Sequence, residues 1–573
     1  MSEQRNLLLA IVVSVAILMG FQFAFGPTQP PSDIQSEAEE PLGAPQVSGS
    51  PEATNVSELE VSSISEVDKG VDEQPRILIN PGNPEAKVSG SITLRGARID
   101  QIILGGYQES LSPDSPNIIL FSPKETAKPY FAEFGWVAED SADVNLPGPN
   151  TLWESADLTL SPDQPVVLTW ENGDGLTFKR VISIDNDYMF EVTDSIRNET
   201  TEPVTLYPYG LIRRTHEPKT LGFFILHEGP LGVFNGTLKE VDYDDLRDAR
   251  TESLDTTGGW IGITDKYWLA ALVPDQASPM VGRFRYKEAS DGEKFQVEFR
   301  LAAKDIGIGQ SVEITNHLFA GAKVVTLLDR YEEELGIQRF DLAVDFGWFY
   351  FLTKPLFYLI HYLTGYLGNI GLAILSVTVI IKLIFFPLAN KSYTAMSRLK
   401  KLQPQMVKLR EQHGEDKVRL NQEMMGLYKR EGANPLAGCL PIVIQIPVFF
   451  ALYKVLFVTI EMRHAPFYGW IRDLSAPDPT TVFNLFGLLP YTTPEFLLIG
   501  VWPLAMGITM WMQQKLNPAP PDPMQARIMM LLPVVFTFIC ARFASGLVIY
   551  WTWNNILSIL QQWVIMRRMG VKA

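Results

Sequence analysis

The sequence predicts a multi-domain membrane protein. It should contain an N-terminal signal-anchor transmembrane helix, an exported all-β sandwich, and a C-terminal five-helix transmembrane core with a cytoplasmic helical hairpin. The 573 residues are 46% hydrophobic with a mean hydropathy of +0.05, which fits neither a purely soluble nor a purely membrane-embedded chain. Apolar runs of spanning length occur at the N-terminus and in the C-terminal part. The region between them alternates with the period of β-strands.

Charge is distributed unevenly along the chain. Residues 331–573 hold 22 Lys and Arg against 15 Asp and Glu, a net charge of +7. Since the whole chain has a net charge of −17, residues 1–330 have a net charge of −24. The acidic front argues against nucleic acid as a direct partner, whereas a basic part rich in apolar runs suits the anionic inner face of a lipid bilayer. Cys439 and Cys540 both lie in apolar runs, so we expect buried thiols and no disulfide framework.

The N-terminal element is an uncharged run of 20 residues, Asn6 to Phe25, which can cross roughly 30 Å of hydrocarbon. A cleaved signal peptide is the alternative, but the apolar core is long and no A-x-A-like cleavage site follows it. We therefore predict an uncleaved signal anchor at residues 1–26. Residues 27–75, rich in Pro, Ser, Gly and Glu, are predicted to form a disordered acidic linker.

Residues 76–323 are predicted to form the β-sandwich. Val166 to Trp170 and Leu176 to Ile184 alternate like strands on either side of a turn at Asn172 to Gly175, and Phe295 to Leu301 shows the same period. Helical periodicity is scarce in this region, which favours an all-β domain.

The C-terminal part contains most of the apolar sequence. Phe346 to Leu388 is over twice the length that one spanning helix needs, so we predict a connection and an interfacial amphipathic helix at residues 324–368. Residues 369–573 form the predicted five-helix core. Its spans are predicted at residues 369–388, 435–459, 495–514, 528–544 and 546–566.

The distribution of basic residues predicts the orientation. Residues 391–434 hold ten Lys and Arg, whereas residues 460–494 hold only Arg463 and Arg472. By the positive-inside rule both termini face the cytoplasm, and the β-sandwich lies outside, in the periplasm if the cell has two membranes.

Lys382 is the most informative residue, because a charged group near the middle of a span costs roughly 2.5–3.5 kcal/mol even on the lenient insertion scale. One interpretation is snorkelling, since Lys391 marks the membrane surface about 13 Å further along the helix. The other is that Lys382 faces a wet cavity in the inner leaflet, with Thr378 one turn earlier on the same face.

Other spans supply polar groups that could converge on Lys382, although each alone more often bonds a neighbouring helix. They are Gln445, Gln513, Gln514, Asn554 and Asn555. No carboxylate lies well inside the five C-terminal spans, which argues against a proton relay or cation pathway and leaves the lysine able to attract acidic residues of a passing polypeptide. No histidine pairing, Walker loop or nucleophile elbow occurs, so no metal, cofactor or enzymatic activity is expected.

Residues 391–432 are predicted to form a helical hairpin, because apolar residues recur at spacings of three and four on both sides of His413. One interpretation is a hairpin that packs on itself. The other is a docking platform whose methionine-rich faces adapt to varied partners. The candidate docking residues are Leu399, Leu402, Met406, Met424 and Met425.

Six segments resemble the YidC membrane-protein insertases, a family related to the mitochondrial Oxa-type insertases. They are Asp345–Phe349 (DFGWF), Gln422–Lys429 (QEMMGLYK), Asn434–Pro441 (NPLAGCLP), Gln445–Phe449 (QIPVF), Asp522–Gln525 (DPMQ) and Ser545–Tyr550 (SGLVIY). Their order, spacing and topology agree with the family. The anchor, linker and β domain resemble its long Gram-negative form.

The resemblance implies a membrane-protein insertase and folding chaperone of the bacterial inner membrane, with no cofactor. Nascent segments would enter a hydrophilic groove open to the cytoplasm and leave sideways into the bilayer, alone or beside the Sec translocon and its accessory subunits. A ribosome or a signal-recognition receptor is a further candidate partner for the basic hairpin. The predicted substrate-contact residues are Lys382, Thr378, Gln445, Gln514, Trp551 and Asn554.

Lys382 departs from the family pattern, because familiar members carry arginine at this position. Lysine keeps the charge but lacks the planar fork that contacts a carboxylate through two nitrogens. Two other classes of function fit the sequence less well. A polytopic transporter would need intramembrane acids, which the sequence lacks, and a membrane-anchored periplasmic carbohydrate-binding protein would leave the five C-terminal spans unexplained.

Overall fold

The computed structural model describes residues 75–139, 144–220, 226–413, 416–431, 440–485, 489, 498–517, 523–568 and 570. The predicted anchor at residues 1–26, the predicted linker up to residue 74, and Cys439 lie outside the described residues. The chain divides into two compact units, Met1–Asp345 and Phe346–Ala573. The described part of the first unit is rich in β-strands, and the second is helical.

The first unit contains two β-sheets. Its strands are β1 Arg76–Ile79, β2 Val88–Thr93, β3 Arg98–Gln108, β4 Asn117–Phe121, β5 Tyr130–Ala138, β6 Glu154–Ser155, β7 Thr159–Leu160, β8 Val166–Glu171, β9 Leu176–Ile184, β10 Met189–Asn198, β11 Val204–Thr215, β12 Gly229–Phe234, β13 Thr237–Glu240, β14 Thr251–Thr257, β15 Trp260–Thr264, β16 Trp268–Val273, β17 Pro279–Ala289, β18 Gly292–Leu301, β19 Lys304–Ile306 and β20 Ser311–Ala322. Its helices are α1 Tyr243–Ala249 and α2 Val325–Leu335, with a 3-10 turn at Phe340–Ala343.

Each sheet is almost entirely antiparallel. The first has the order β14-β17-β18-β11-β5-β3-β2-β1-β7, with β19 added beside β11 and β4 beside β3. The second has the order β13-β12-β15-β16-β20-β10-β9-β8-β6. Strands β15 and β16 contact β18 and β11 across the interior, where large side chains such as Phe178, Trp260 and Phe299 are fully buried. The β-rich character predicted for this region is confirmed.

The predicted hairpin around Asn172 shows how the local sequence sets a turn. The Asn172 side-chain oxygen accepts hydrogen bonds from the backbone N–H groups of Asp174 and Leu176, at 2.8 and 2.9 Å. Gly173 and Gly175 adopt positive φ angles of 82° and 96°, which a residue with a Cβ rarely adopts. Strand β9 therefore begins at Leu176 and pairs with β8 in register.

A buried arginine links the two sheets. Arg180 on β9 donates two hydrogen bonds to the Asp194 carboxylate on β10, at 2.7 and 3.1 Å. It also donates to the backbone carbonyl groups of Ala97 and of Phe134 on β5, in the opposite sheet, at 3.3 and 2.7 Å. The Arg180 and Asp194 side chains are only 1% and 5% exposed. Four of the five N–H groups of the guanidinium are thus used inside the sandwich.

A second buried cation, Lys323, follows strand β20. Its ammonium group donates to the Thr264 hydroxyl at 2.8 Å, and the residue is 3% exposed. Burial lowers the pKa of Lys323 from 10.5 to about 8, although the Asp345 and Asp265 carboxylates oppose the change. The folded unit therefore binds this proton less tightly than the unfolded chain does.

The second unit consists of helices. They are α3 Tyr350–Leu367, α4 Ile370–Ile384, α5 Phe386–His413, α6 Lys417–Arg430, α7 Leu440–Val458, α8 Val501–Leu516, α9 Pro523–Cys540 and α10 Ser545–Arg568, with a 3-10 turn at Ile460–Met462. Gly368, at φ 64°, ends α3, and the Asn369 side chain caps α4 by accepting from the Leu372 N–H at 3.1 Å. The predicted break between the interfacial helix and the first core helix therefore lies at this pair of residues.

Helix α4 ends at Ile384 and α5 begins at Phe386, because Pro387 has no N–H and so cannot continue the hydrogen-bond ladder of α4. The bounds of the predicted hairpin, residues 391–432, stay a prediction. In the described residues no single helix is both long and apolar enough for a membrane span, whereas α4 and α5 pass that test together and are bent by 68° at their junction.

Removing the carboxylate of the Arg180 pair is expected to destabilise the first unit. In Asp194→Ala the guanidinium stays buried without its anion, which costs about 3–5 kcal/mol of unfolding free energy. Urea unfolding of the purified full chain, followed by limited proteolysis of the first unit, measures the change. Glu199→Ala is the control, because Glu199 pairs with Arg197 at a surface where both side chains are more than half exposed, and such a pair contributes about 1 kcal/mol or less. Equal losses would contradict the assignment.

The stability of the first unit is expected to rise with pH between about pH 8 and pH 10. In that range the unfolded chain retains the Lys323 proton that the folded unit has released, so the unfolding free energy increases. Lys323→Met should remove this increase, whereas Lys179→Met, at an exposed position of β9, should preserve it. The measurement is the urea midpoint at several pH values, and an unchanged slope in Lys323→Met would refute the prediction.

Candidate functional site

Lys382 lies near the C-terminal end of α4, where α4 and α5 pack against α10. The side chain is half-buried, and its ammonium group donates a hydrogen bond to the Ser558 hydroxyl oxygen on α10 at 2.8 Å. Among the residues that the structure describes, no carboxylate lies within ion-pair distance of Lys382. A neutral hydroxyl therefore holds the ammonium group and leaves its charge uncompensated.

Ser558 is a meeting point for three helices. Its hydroxyl donates to the Asn554 backbone carbonyl one turn earlier on α10, at 2.8 Å, so its oxygen lone pairs are available to other donors. The hydroxyl of Tyr393 on α5 lies near Ser558. Ser558 and Tyr393 are buried, with 3% and 9% of their surfaces exposed. Sequence reasoning missed both residues, although Ser558 shares a helix face with Asn554.

The predicted groove residues occupy different environments. Asn554 lies beside the site, and its side-chain oxygen is buried without a hydrogen-bond partner among the described residues. Thr378 is 2% exposed and donates to the Ile374 carbonyl of its own helix at 2.8 Å. Its hydroxyl proton is therefore used within α4. Gln445 of α7 is half-buried and lies near the buried Tyr550 of α10.

Trp551 and Gln514 have surroundings that differ from those of Lys382. The Trp551 ring packs against Phe449 and Phe536, with centroids 5.0 and 5.5 Å away, in an apolar cluster around Met506. Gln514 is half-buried near the C-terminal end of α8. Within the described part of the chain, no hydrogen bond joins either residue to Lys382. Their assignment to a substrate-contact groove stays a prediction.

Polar side chains continue along α10 beyond Ser558. Asn555 donates to the Thr509 hydroxyl at 3.3 Å, and Gln562 donates to the Asn517 side-chain oxygen at 3.1 Å. The Gln561 amide nitrogen and the Gln562 side-chain oxygen are buried without a partner among the described residues. An unsatisfied buried polar group costs about 1–3 kcal/mol. The face of α10 near Lys382 therefore favours water or a polar chain over lipid.

Comparison with known proteins assigns the chain to a family. The model of the YidC periplasmic domain matches residues 85–359, and the model of the 60Kd inner membrane protein matches residues 362–572. The curated protein "Membrane protein insertase YidC" of Methylobacterium radiotolerans is 47% identical over 598 residues, which cover 100% of this chain and 96% of that protein. This chain belongs to the YidC family. The YidC protein of Beijerinckia indica is 48% identical and covers 100% of this chain and 97% of its own length.

A solved structure of an active YidC insertase covers 87% of this chain and 96% of its own, at 16% sequence identity and a TM-score of 0.35. The family assignment depends on the sequence matches, which extend through both units.

The hairpin of this YidC family member uses most of its predicted docking residues internally. Leu399 and Leu402 on α5 are 8% and 6% exposed, and Met406 and the α6 residue Tyr428 pack against them. Met424 is half-buried, whereas Met425 is 57% exposed. The self-packing interpretation thus accounts for Leu399, Leu402 and Met406, and Met425 is the candidate that faces outward.

Other apolar residues of the hairpin are also exposed. Val407 on α5 and Val418 on α6 are 50% and 69% exposed. They lie among the basic residues of the two helices, so the outer surface of the hairpin combines positive charge with separate apolar side chains. Such a surface suits a partially apolar, acidic partner or an anionic bilayer.

Proposed function

We propose that this protein is a membrane-protein insertase and folding chaperone, the activity named for its curated relatives. Lys382 is the observation that carries the proposal: a cation on an apolar helix, held by a hydroxyl instead of a carboxylate. Hydroxyl partners leave the positive charge able to attract acceptor groups of an incoming chain. The polar face of α10 extends this environment away from the lysine.

The site lowers the barrier to moving a polar segment through the bilayer. A peptide group without a hydrogen-bond partner costs several kcal/mol in hydrocarbon, and a carboxylate costs more. The polar groups of a nascent segment beside α10 instead form hydrogen bonds with Asn554, Gln561 and the Lys382 ammonium group. Its apolar part could meanwhile contact lipid and leave sideways. This mechanism requires neither covalent chemistry nor a cofactor.

We place the protein in the bacterial inner membrane, with both termini in the cytoplasm and the β-rich unit in the periplasm. The basic residues at 391–434, which include the hairpin, support this orientation through the positive-inside rule. Nascent inner-membrane proteins and the lipid bilayer are the proposed partners, together with the Sec translocon and its accessory subunits. A ribosome or a signal-recognition receptor would contact the basic outer surface of the hairpin.

The lysine favours contact with one acceptor atom at a time. Arginine can bind both oxygens of a carboxylate through a planar fork, whereas an ammonium group is a compact point charge on a flexible chain. We therefore propose that Lys382 makes transient, single-atom contacts with a passing substrate. Transient contact suits an insertase, because a tightly bound carboxylate would delay release into the bilayer.

Changes at Lys382 test the proposed function. In cells depleted of the native protein, each variant is expressed with a single-span substrate that has an acidic exported tail, and protease mapping reports whether the tail reaches the periplasm. Lys382→Ala should reduce translocation at least about ten-fold, since it removes a contact between charged groups. Lys382→Glu should reduce it further, and Lys382→Arg should retain it.

Cells that carry only the empty vector provide the baseline, and comparable levels of each variant in the membrane are the control. Unchanged translocation on depletion would overturn the insertase proposal. Equal activity of Lys382→Ala, Lys382→Glu and Lys382→Arg would favour snorkelling and remove the lysine from the mechanism.

Two hairpin variants separate docking from internal packing. Met425→Ser changes an exposed residue, so it should leave hairpin stability within about 0.5 kcal/mol but weaken co-purification with partners. Leu402→Ala removes a buried side chain and should destabilise the hairpin by about 2–5 kcal/mol. Protease sensitivity of the hairpin and recovery of ribosomes or translocon subunits with the tagged protein are the two measurements. Normal partner recovery with Met425→Ser would remove that residue from the docking surface.

A further inference from the structure

The Ser558 hydroxyl is suited to orient a lysine. Its own proton is donated to the Asn554 carbonyl at 2.8 Å, and this bond within α10 fixes the direction of the oxygen lone pairs. The Lys382 ammonium group meets that oxygen at 2.8 Å from a helix 176 residues earlier in the chain. The hydroxyl of Tyr393 on α5 lies near Ser558. The Ser558 oxygen therefore defines one position for the ammonium group.

A lysine needs such a restraint more than an arginine does. Its four-carbon chain is flexible, and ordering a buried lysine side chain costs up to about 2 kcal/mol of rotamer entropy. The half-buried Lys382 could otherwise extend toward the membrane surface, as the snorkelling interpretation requires. One N–H of the ammonium group is used by Ser558, and the other two have no partner among the residues that the structure describes. Both can donate to an incoming acceptor.

The chemistry of the partner is also informative. A carboxylate at residue 558 would hold the lysine more strongly but would neutralise its charge. A hydroxyl holds the ammonium group without neutralising it. Ser558 is 3% exposed and its proton is already used in the helix, so it has little capacity to bind substrate itself.

We propose that Ser558, supported by Tyr393, is a positioning residue that keeps the Lys382 ammonium group directed into the bundle and two of its N–H groups available to acidic residues of the substrate. The inference rests on the proposed function, because it assigns the lysine a contact with the inserting chain. It adds a reason why lysine can work at this position: the Ser558 hydroxyl restricts a flexible side chain.

A double-mutant cycle in the full-length protein tests this inference. Ser558→Ala and Ser558→Thr are each made in the native background and in Lys382→Ala, and Tyr393→Phe is made in the native background. The readout is translocation of the single-span substrate in depleted cells. Two forms of the substrate are compared, one with acidic residues in its exported tail and one with Asn and Gln in their place.

Ser558→Ala should reduce translocation of the acidic tail about ten-fold, the effect expected from losing one hydrogen bond to a charged group. The neutral tail should change little, and Lys382→Ala should abolish the effect of Ser558→Ala. Ser558→Thr keeps the hydroxyl and should retain activity, whereas Tyr393→Phe should cause a smaller loss for the acidic tail.

Each alternative result has a distinct meaning. Equal losses for both tails, or the same loss in the Lys382→Ala background, would show that Ser558 acts through general packing and would overturn the inference. Normal activity of Ser558→Ala beside an inactive Lys382→Ala would also overturn it while leaving the proposed function intact. Normal activity of Lys382→Ala itself would instead overturn the role of the lysine.

Discussion

The cation at Lys382 is the constraint on which the arrangement of the helical unit depends. An ammonium group on an apolar helix must either reach water or find polar partners within the protein. In this structure the Ser558 hydroxyl of α10 supplies that partner, and the Tyr393 hydroxyl of α5 lies near Ser558, so α4, α5 and α10 meet at one point. The bend of 68° between α4 and α5 lets one continuous stretch of chain contribute both Lys382 and Tyr393 to that point. Pro387 creates the bend, so a backbone feature places the side chains of the site.

The two units use buried cations in different ways. Arg180 is bound by a carboxylate and by carbonyl groups of the opposite sheet, so its charge is neutralised and four of its five N–H groups are occupied. This arrangement suits a fixed structural link. Lys382 has a hydroxyl partner and no carboxylate within ion-pair distance among the described residues. Burying a charge is unfavourable in both units. An ion pair stabilises Arg180 where a rigid link is needed, and a hydrogen bond to a neutral hydroxyl stabilises Lys382 where a moving substrate is to be contacted.

The sequence predicted those parts of the structure that depend on neighbours along the chain. The alternation of β9, the turn after Asn172 and the helical character of the second unit are of this kind. The apolar spacing that predicted the hairpin does not indicate where α5 begins, which Pro387 determines through its missing N–H. Ser558 was missed because its role depends on a hydrogen bond with Lys382, 176 positions earlier in the chain. The spacing of residues along one helix does not predict such a long-range contact. Trp551, by contrast, packs in an apolar cluster, a difference that composition could not reveal.

The hairpin shows why apolar periodicity alone does not define a docking surface. Periodicity identifies the face that a helix buries, and in a pair of helices that face is normally turned toward the partner helix. Leu399, Leu402 and Met406 follow this rule and pack with Tyr428. The residues left for an external partner are those that interrupt the pattern, such as Val407, Val418 and Met425, which lie exposed among lysines and arginines. Their separation prevents a continuous apolar patch, so recognition at this surface must come from charge, with the isolated apolar side chains adding small local contacts.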